Sequence, residues 1–244
     1  MKRLLRFELY KMIRMKSLYI CALIPVILNV GIAFIDQCLT KGFFNVAASD
    51  YILSVAAGSL LPLTAGIFTA LYISDDFQNH TMKNIVARGY SRTMVYLAKL
   101  ISSSVGILIM FGINLLSEIL ISMPLGLSSA GTKIVILSVI AQLIVMLALN
   151  AMYLMICMLL GKSVISVAIV VVGPTLAGAL LSVLSLLLRK QGINLSDYWI
   201  DGLLSKLVDP AAEIGFIMKQ AGIALAYLSV FLSGGIALFR KKEF

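Results

Sequence analysis

The chain has 244 residues, of which 61% are hydrophobic and only 13% charged, with a mean hydropathy of +1.03. Soluble domains are roughly 45–50% apolar and about 25% charged, so a water-soluble globular protein is excluded and an integral membrane protein is implied. The formal net charge of +9 is accounted for by membrane topology and contact with anionic lipid, and it requires no nucleic acid.

Six runs without Asp, Glu, Lys or Arg are long enough to cross a bilayer as helices: about 18–35, 52–73, 100–117, 134–160, 163–188 and 220–239. They occupy most of the chain and leave one transmembrane domain, 1–244, with no separate soluble unit. The alternation of a β-barrel is absent, so helices must satisfy the backbone in lipid. The three cysteines, Cys21, Cys38 and Cys157, are odd in number and lack ligand spacing with His80, which argues against a disulfide framework or a metal site. Fourteen Lys and Arg fall on the side of the N-terminus, the 75–99 segment, Lys162 and the C-terminus, against six on the other. The positive-inside rule then places both termini in the cytoplasm.

Residues 1–16 read as an amphipathic interfacial helix, with Leu5, Leu9, Met12 and Ile13 on one face and Arg3, Arg6 and Arg14 roughly opposite. The first span follows as a retained helix, ending near Asp36. The second carries Ala56, Ala57, Gly58, Gly66 and Ala70, small residues that let helices approach closely. Between spans two and three lies the longest charged segment on the cytoplasmic side, 75–99. Within it Met82, Ile85 and Val86 share a helical face, Gly89 suits the left-handed position past a helix end, and Ser91 suits the cap of the next helix.

The third span holds Asn114 and Glu118 near its outer end, where the carboxylate is a substrate-path candidate or a partner for Lys133. Gln142 and Asn150 in the fourth are expected to bond between helices, with lining a substrate path as the other reading. Gly161, Lys162 and Ser163 resemble the end of a phosphate-binding loop, but Ile156 occupies the position of the leading glycine, so the match fails. No other such loop, and no protease or esterase signature, is present; catalytic residues are expected nowhere in the chain.

Gly173, Pro174 and Thr175 loosen the fifth span. The outer segment 189–214 contains an amphipathic helix over 196–208, with Trp199, Ile200, Leu203, Leu204, Leu207 and Val208 apolar, Ser196 as its cap and Pro210 beyond its end. Gly222, Ala226 and Gly234 form a small-residue stripe on the last span.

This order of parts resembles the small permease subunits of type-2 ABC exporters, the group that includes permeases for lantibiotic immunity, bacitracin resistance and related peptide export. Asp76, Phe77, Thr81, Ser91, Arg92 and Lys99 stand where such permeases carry an acidic-aromatic pair, a Gly-Thr pair, Ser-Arg and Lys. His80 takes the place of the usual glycine.

The resemblance implies an all-α fold of six transmembrane helices, with the interfacial helix, a coupling helix at 76–92 and the outer amphipathic helix. It implies an ATPase-coupling site of Asp76, Phe77, Thr81, Met82, Ile85, Val86, Arg88, Ser91 and Arg92, with Met82, Ile85 and Val86 as buried anchors. No cofactor is expected on this chain, since ATP and Mg belong to a partner ABC ATPase. The further partners are the bilayer and a second permease, identical or paralogous. The activity implied is export of an amphipathic or hydrophobic substrate, foremost an antimicrobial peptide, across a bacterial plasma membrane. A stand-alone ion-coupled carrier is the alternative, although Glu118 is the sole ionisable residue in the spans to support it.

Overall fold

The computed structural model describes residues 1–35, 48–56, 60–123, 132–161, 163–188, 198–209 and 212–241. Among these, every regular element is a helix: α1 (Lys2–Arg14), α2 (Lys16–Phe34), α3 (Ala48–Leu53), α4 (Leu61–Gln78), α5 (Thr81–Ala87), α6 (Arg92–Ser122), α7 (Thr132–Leu160), α8 (Ser163–Leu188), α9 (Ile200–Lys206) and α10 (Ile214–Lys241). Five of them, α2, α6, α7, α8 and α10, are long and apolar enough to cross a membrane.

The expected second span is not one helix. Its backbone breaks after α3, and α4 begins at Leu61 with Pro62 in its first turn, where a missing N–H costs nothing. Asp75, Asp76 and Gln78 in the last turn dilute α4, so it does not reach the hydropathy of the other five. Its 18 residues span about 27 Å, close to the roughly 30 Å of a hydrocarbon core.

The bundle is built around α4, α6 and α7. α1 and α2 pack on α6, α8 packs on α4, and α10 runs along α7. Small residues set the closest approaches. A Cβ on Gly66 would come within 2.5 Å of Val170 on α8 and 3.1 Å of Tyr153 on α7, and one on Gly106 would meet Phe68 at 2.7 Å.

The expected stripe on α10 lies elsewhere. Gly222 and Ala226 are exposed, and a Cβ on Gly234 would meet only Met155, whereas Gly235 is the position pressed against the Tyr96 ring. α9 buries Ile200, Leu203 and Leu204, Leu207 just past its end is buried too, and Trp199 at its N-cap donates Nε1–H to the Pro174 carbonyl of α8 at 3.1 Å. The proposed cap Ser196, and Asp36, Cys38, Ala57, Gly58, Lys162 and Pro210, lie outside the described residues.

Candidate functional site

Glu8 is the sole acidic residue among the first 35, in a helix otherwise rich in Lys and Arg. α1 turns it inward: Leu4, Glu8 and Met12, spaced four apart, are buried, while Ile13 is 48% exposed. The buried face is therefore rotated from the expected Leu5, Leu9, Met12 and Ile13 pattern, because Glu8 must reach a charge inside. That charge is Lys99, two turns into α6 and fully buried. Its ammonium contacts both Glu8 Oε2 and Asp76 Oδ2, the latter at the end of α4.

The cluster extends on both sides. Tyr72, one turn before Asp76 on α4, donates its hydroxyl proton to Glu8 Oε2 at 2.6 Å and lies 2.7 Å from Ser102 Oγ on α6, while Lys99 Nζ sits 4.5 Å from the centre of its ring. On the outer side Lys11 bridges Asp75 Oδ2 at 2.5 Å and Asp76 Oδ1 at 2.8 Å. Burial works against the charge on Lys11, but the hydrogen bonds it donates to Asp75 and Asp76 and their negative charges outweigh it, so its pKa is raised above 10.5. A raised lysine pKa keeps the ion fully formed at neutral pH and releases it only as the pH rises through that higher value.

Three carboxylates meet two ammonium groups, a formal balance of 2 − 3 = −1. Such an array is worth little as net stability because desolvation offsets the attraction, yet removing one member strands the others at about 3–5 kcal/mol. It fixes geometry: α1, the end of α4 and the start of α6 cannot move apart without separating buried ions.

α5 hangs between the ends that the ion cluster joins. His80, before it, has φ 54° and ψ 16°, the left-handed conformation that glycine adopts freely and that histidine visits at a cost of about 1 kcal/mol or more. His80 is the one positive-φ residue other than glycine among the described residues. Gly89 after α5 has φ 87°, and Ser91 caps α6 by accepting from the Met94 N–H at 3.3 Å. Arg92 donates Nη1–H to the Arg240 carbonyl at 2.8 Å, tying the end of α10 to the start of α6.

Placed on this geometry, the nine coupling residues named from sequence separate into two sets. Asp76, Met82 and Ile85 are interior, with Met82 1% and Ile85 7% exposed, so these two are already covered within the chain and are not free to fill a groove on another subunit. Phe77, Thr81, Val86 and Arg92 are half-buried, and Arg88 and Ser91 are exposed. Spacing alone identified an apolar face but not what covers it.

A family model described as "ABC-2 family transporter protein" matches residues 4–177, 174 of the 244 residues. The chain belongs to the ABC-2 transporter family. No curated protein matches it. It is thus the multi-pass, non-catalytic membrane permease of an ABC transporter, working with a separate ABC ATPase subunit that hydrolyses the nucleotide. Permease domains of this family typically bind no cofactor, and among the described residues no three His, Cys, Asp or Glu side chains are set to hold a metal ion. Family membership removes the stand-alone carrier.

Deeper in the permease the polar groups are neutral amides. Asn150 on α7 accepts from Thr69 Oγ1 at 3.1 Å and donates to Ser103 Oγ at 3.0 Å and Ser104 Oγ at 3.1 Å, joining α4, α6 and α7. Gln142 holds the break after α3: its Nε2 donates to the Leu53 carbonyl at 2.6 Å and its Oε1 accepts from the Ala56 N–H at 3.1 Å. Both fit the interhelical reading.

Near the other end of α6, Glu118 Oε1 accepts from Asn29 Nδ2 of α2 at 2.5 Å, and Asn114 donates to the Met110 and Ala22 carbonyls at 2.9 and 3.4 Å. The bond that Glu118 makes is thus to Asn29, and Lys133 stands exposed at the start of α7. The four substrate-path candidates share no hydrogen bond with one another. Sequence reasoning also passed over Glu8, Lys11, Tyr72 and Asn29; a lone acid in a basic helix and a lone amide in an apolar span were the available signals.

Proposed function

We propose that this permease is one of two membrane halves of an exporter, each crossing the bilayer six times with α3 and α4 together forming the second crossing and both termini in the cytoplasm of a bacterial cell. The observation that carries the reading is the buried Glu8, Lys99 and Asp76 array, which makes α1, α4 and α6 one rigid mount for the short helix between them. In this reading α5 is the coupling helix. Closure of the ATPase subunits displaces it, and the ion array passes the displacement to α4 and α6 instead of letting a loop absorb it.

The residues of α5 that neither line the side facing α1 nor are buried in the core are Lys83, Val86 and Ala87: Lys83 and Ala87 are exposed and lie about 100° or more around the helix from both Met82 and Ile85, and half-buried Val86 flanks that buried pair. They are the ATPase-facing set, with Val86 the apolar anchor and Lys83 at the rim. The outer helix α9 shields the far end of the path. An amphipathic or hydrophobic substrate, an antimicrobial peptide before others, suits spans with so little charge.

The test removes the array without stranding an ion. Glu8→Gln, Asp76→Asn and Lys99→Met combined should leave an inserted protein that still co-purifies its ATPase, while transport of a membrane-active peptide falls at least ten-fold. Full transport by that triple variant would show that the array is structural padding. Separately, Val86→Asp and Ala87→Asp should each weaken ATPase co-purification by about ten-fold to a hundred-fold, the equivalent of about 1–3 kcal/mol. A native mass with a single permease chain in an active complex would contradict the two-half arrangement.

A further inference from the structure

α1 and α5 do not close completely on each other. Between them lies a groove of about 390 Å³ lined by Arg3, Leu4 and Phe7 from α1, Thr81, Asn84, Ile85 and Arg88 from α5, and Tyr90. That volume lies in the roughly 300–1,000 Å³ range of small-ligand sites. The lining is of two kinds. Leu4, Phe7 and Ile85 are apolar, whereas Arg3, Arg88, Asn84, Thr81 and Tyr90 offer hydrogen-bond donors. Neither Arg3 nor Arg88 is in an ion pair among the described residues, so both face the groove with no carboxylate there to neutralise them.

The depth of the groove follows from the chain. Met15 alone separates α1 from α2, so α1 lies within a turn of the point where α2 enters the bilayer. Phe7 is 50% exposed and Tyr10 57%, with the Arg14 guanidinium 4.6 Å over the Tyr10 ring. Exposed aromatics backed by arginine are the pattern of a helix lying among lipid headgroups. Two guanidiniums at that level match a phosphate, each able to donate a paired set of hydrogen bonds.

We propose that the groove between α1 and α5 is a binding site for an anionic phospholipid, its phosphate held by Arg3 and Arg88 and its first acyl carbons over Leu4 and Phe7. An acidic segment of the ATPase would satisfy the arginines equally well, but it would have to displace lipid from beside Phe7 to do so. The bound lipid bridges the interfacial helix and α5, so the charge of the leaflet sets how firmly α5 is held. The site needs no ATPase to form and stands independently of the coupling role of α5.

The full-length chain in detergent, incubated with equal dioleoyl phosphatidylglycerol and dioleoyl phosphatidylcholine and read by native mass spectrometry, tests this. Retention of one phosphatidylglycerol in preference to phosphatidylcholine is expected. Arg3→Gln and Arg88→Gln should each lower it about five-fold, the equivalent of about 1 kcal/mol per charge near a lipid surface. Arg6→Gln, on the same helix but outside the groove, should leave it unchanged, and glycerol phosphate without acyl chains should not displace it.

Equal retention of both lipids, or an Arg6→Gln loss as large as that of Arg3→Gln, would overturn the site in favour of general surface charge. Displacement by glycerol phosphate would overturn the lipid assignment. Co-purification with the ATPase lost in Arg3→Gln and Arg88→Gln while lipid retention stays intact would assign the groove to the ATPase instead.

Discussion

The two ends of α4 solve the same problem with different chemistry. At its C-terminal end polar groups are charged, and the Glu8, Lys99 and Asp76 array joins three segments that are far apart in sequence. Toward its N-terminal half they are neutral: Asn150 bonds Thr69, Ser103 and Ser104, and Gln142 bonds the backbone of the break. A carboxylate or ammonium is affordable where Lys11 and Asp75 still reach the headgroup region, and prohibitive where hydrocarbon surrounds the bundle. The amides are glue that a resting bundle needs, whereas the ions make a joint whose parts are costly to separate.

Breaking the charged end should therefore hurt most. Lys99→Met strands Glu8 in the interior and leaves Asp76 with Lys11 alone, and we expect a loss of about 3–5 kcal/mol, read as a collapse of the monodisperse peak and of the thermal midpoint in detergent. If the variant is as stable as the parent, the two carboxyls are not held as ions and the contrast between the ends disappears.

Next comes Gln142→Leu, which leaves the Leu53 carbonyl and the Ala56 N–H without their partner. A cost of about 1–3 kcal/mol is expected, with faster hydrogen exchange confined to residues around 53–56 as the local signature. Asn150→Leu removes three weaker bonds, and interhelical bonds of this kind average well under 1 kcal/mol each, so about 1–2 kcal/mol should register in the same melting assay. A loss larger than that of Lys99→Met would invert the comparison.

The smallest effect concerns the turn between α4 and α5. His80→Gly relieves the left-handed histidine and gives back some backbone entropy, so stability should shift by less than about 1 kcal/mol in either direction. His80→Val, which cannot adopt φ 54° without strain, should cost more than His80→Gly by at least about 1 kcal/mol in paired melts.

What could be read in advance, and what could not, divides along the same line. Apolar run length located the long helices, because a crossing demands about 20 apolar residues whatever its neighbours are. Ser91 and Gly89 announced their roles because capping and left-handed turns are local chemistry. The run at 52–73 reads as continuous from hydropathy alone: Pro62 in the first turn of α4 is the local sign of a break, and Gln142, which holds the broken backbone, lies on a helix much later in the chain. The same limit explains the α5 anchors: the spacing of Met82 and Ile85 shows that they are covered, and only the fold shows that their cover belongs to the chain itself. Glu8 and Lys99 lie 91 residues apart, and each alone looks like an ordinary flanking charge.

The clamp on the turn after α3 also bears on how the protein is made. Ala56 and Leu53 wait for a glutamine 86 and 89 residues downstream, so the ribosome must deliver α4, α5 and α6 before the partner exists. Until α7 arrives, those two backbone groups lack the side chain that joins them. The turn after α3 is thus clamped only after α6 has been made, and this part of the permease is completed out of order with its sequence.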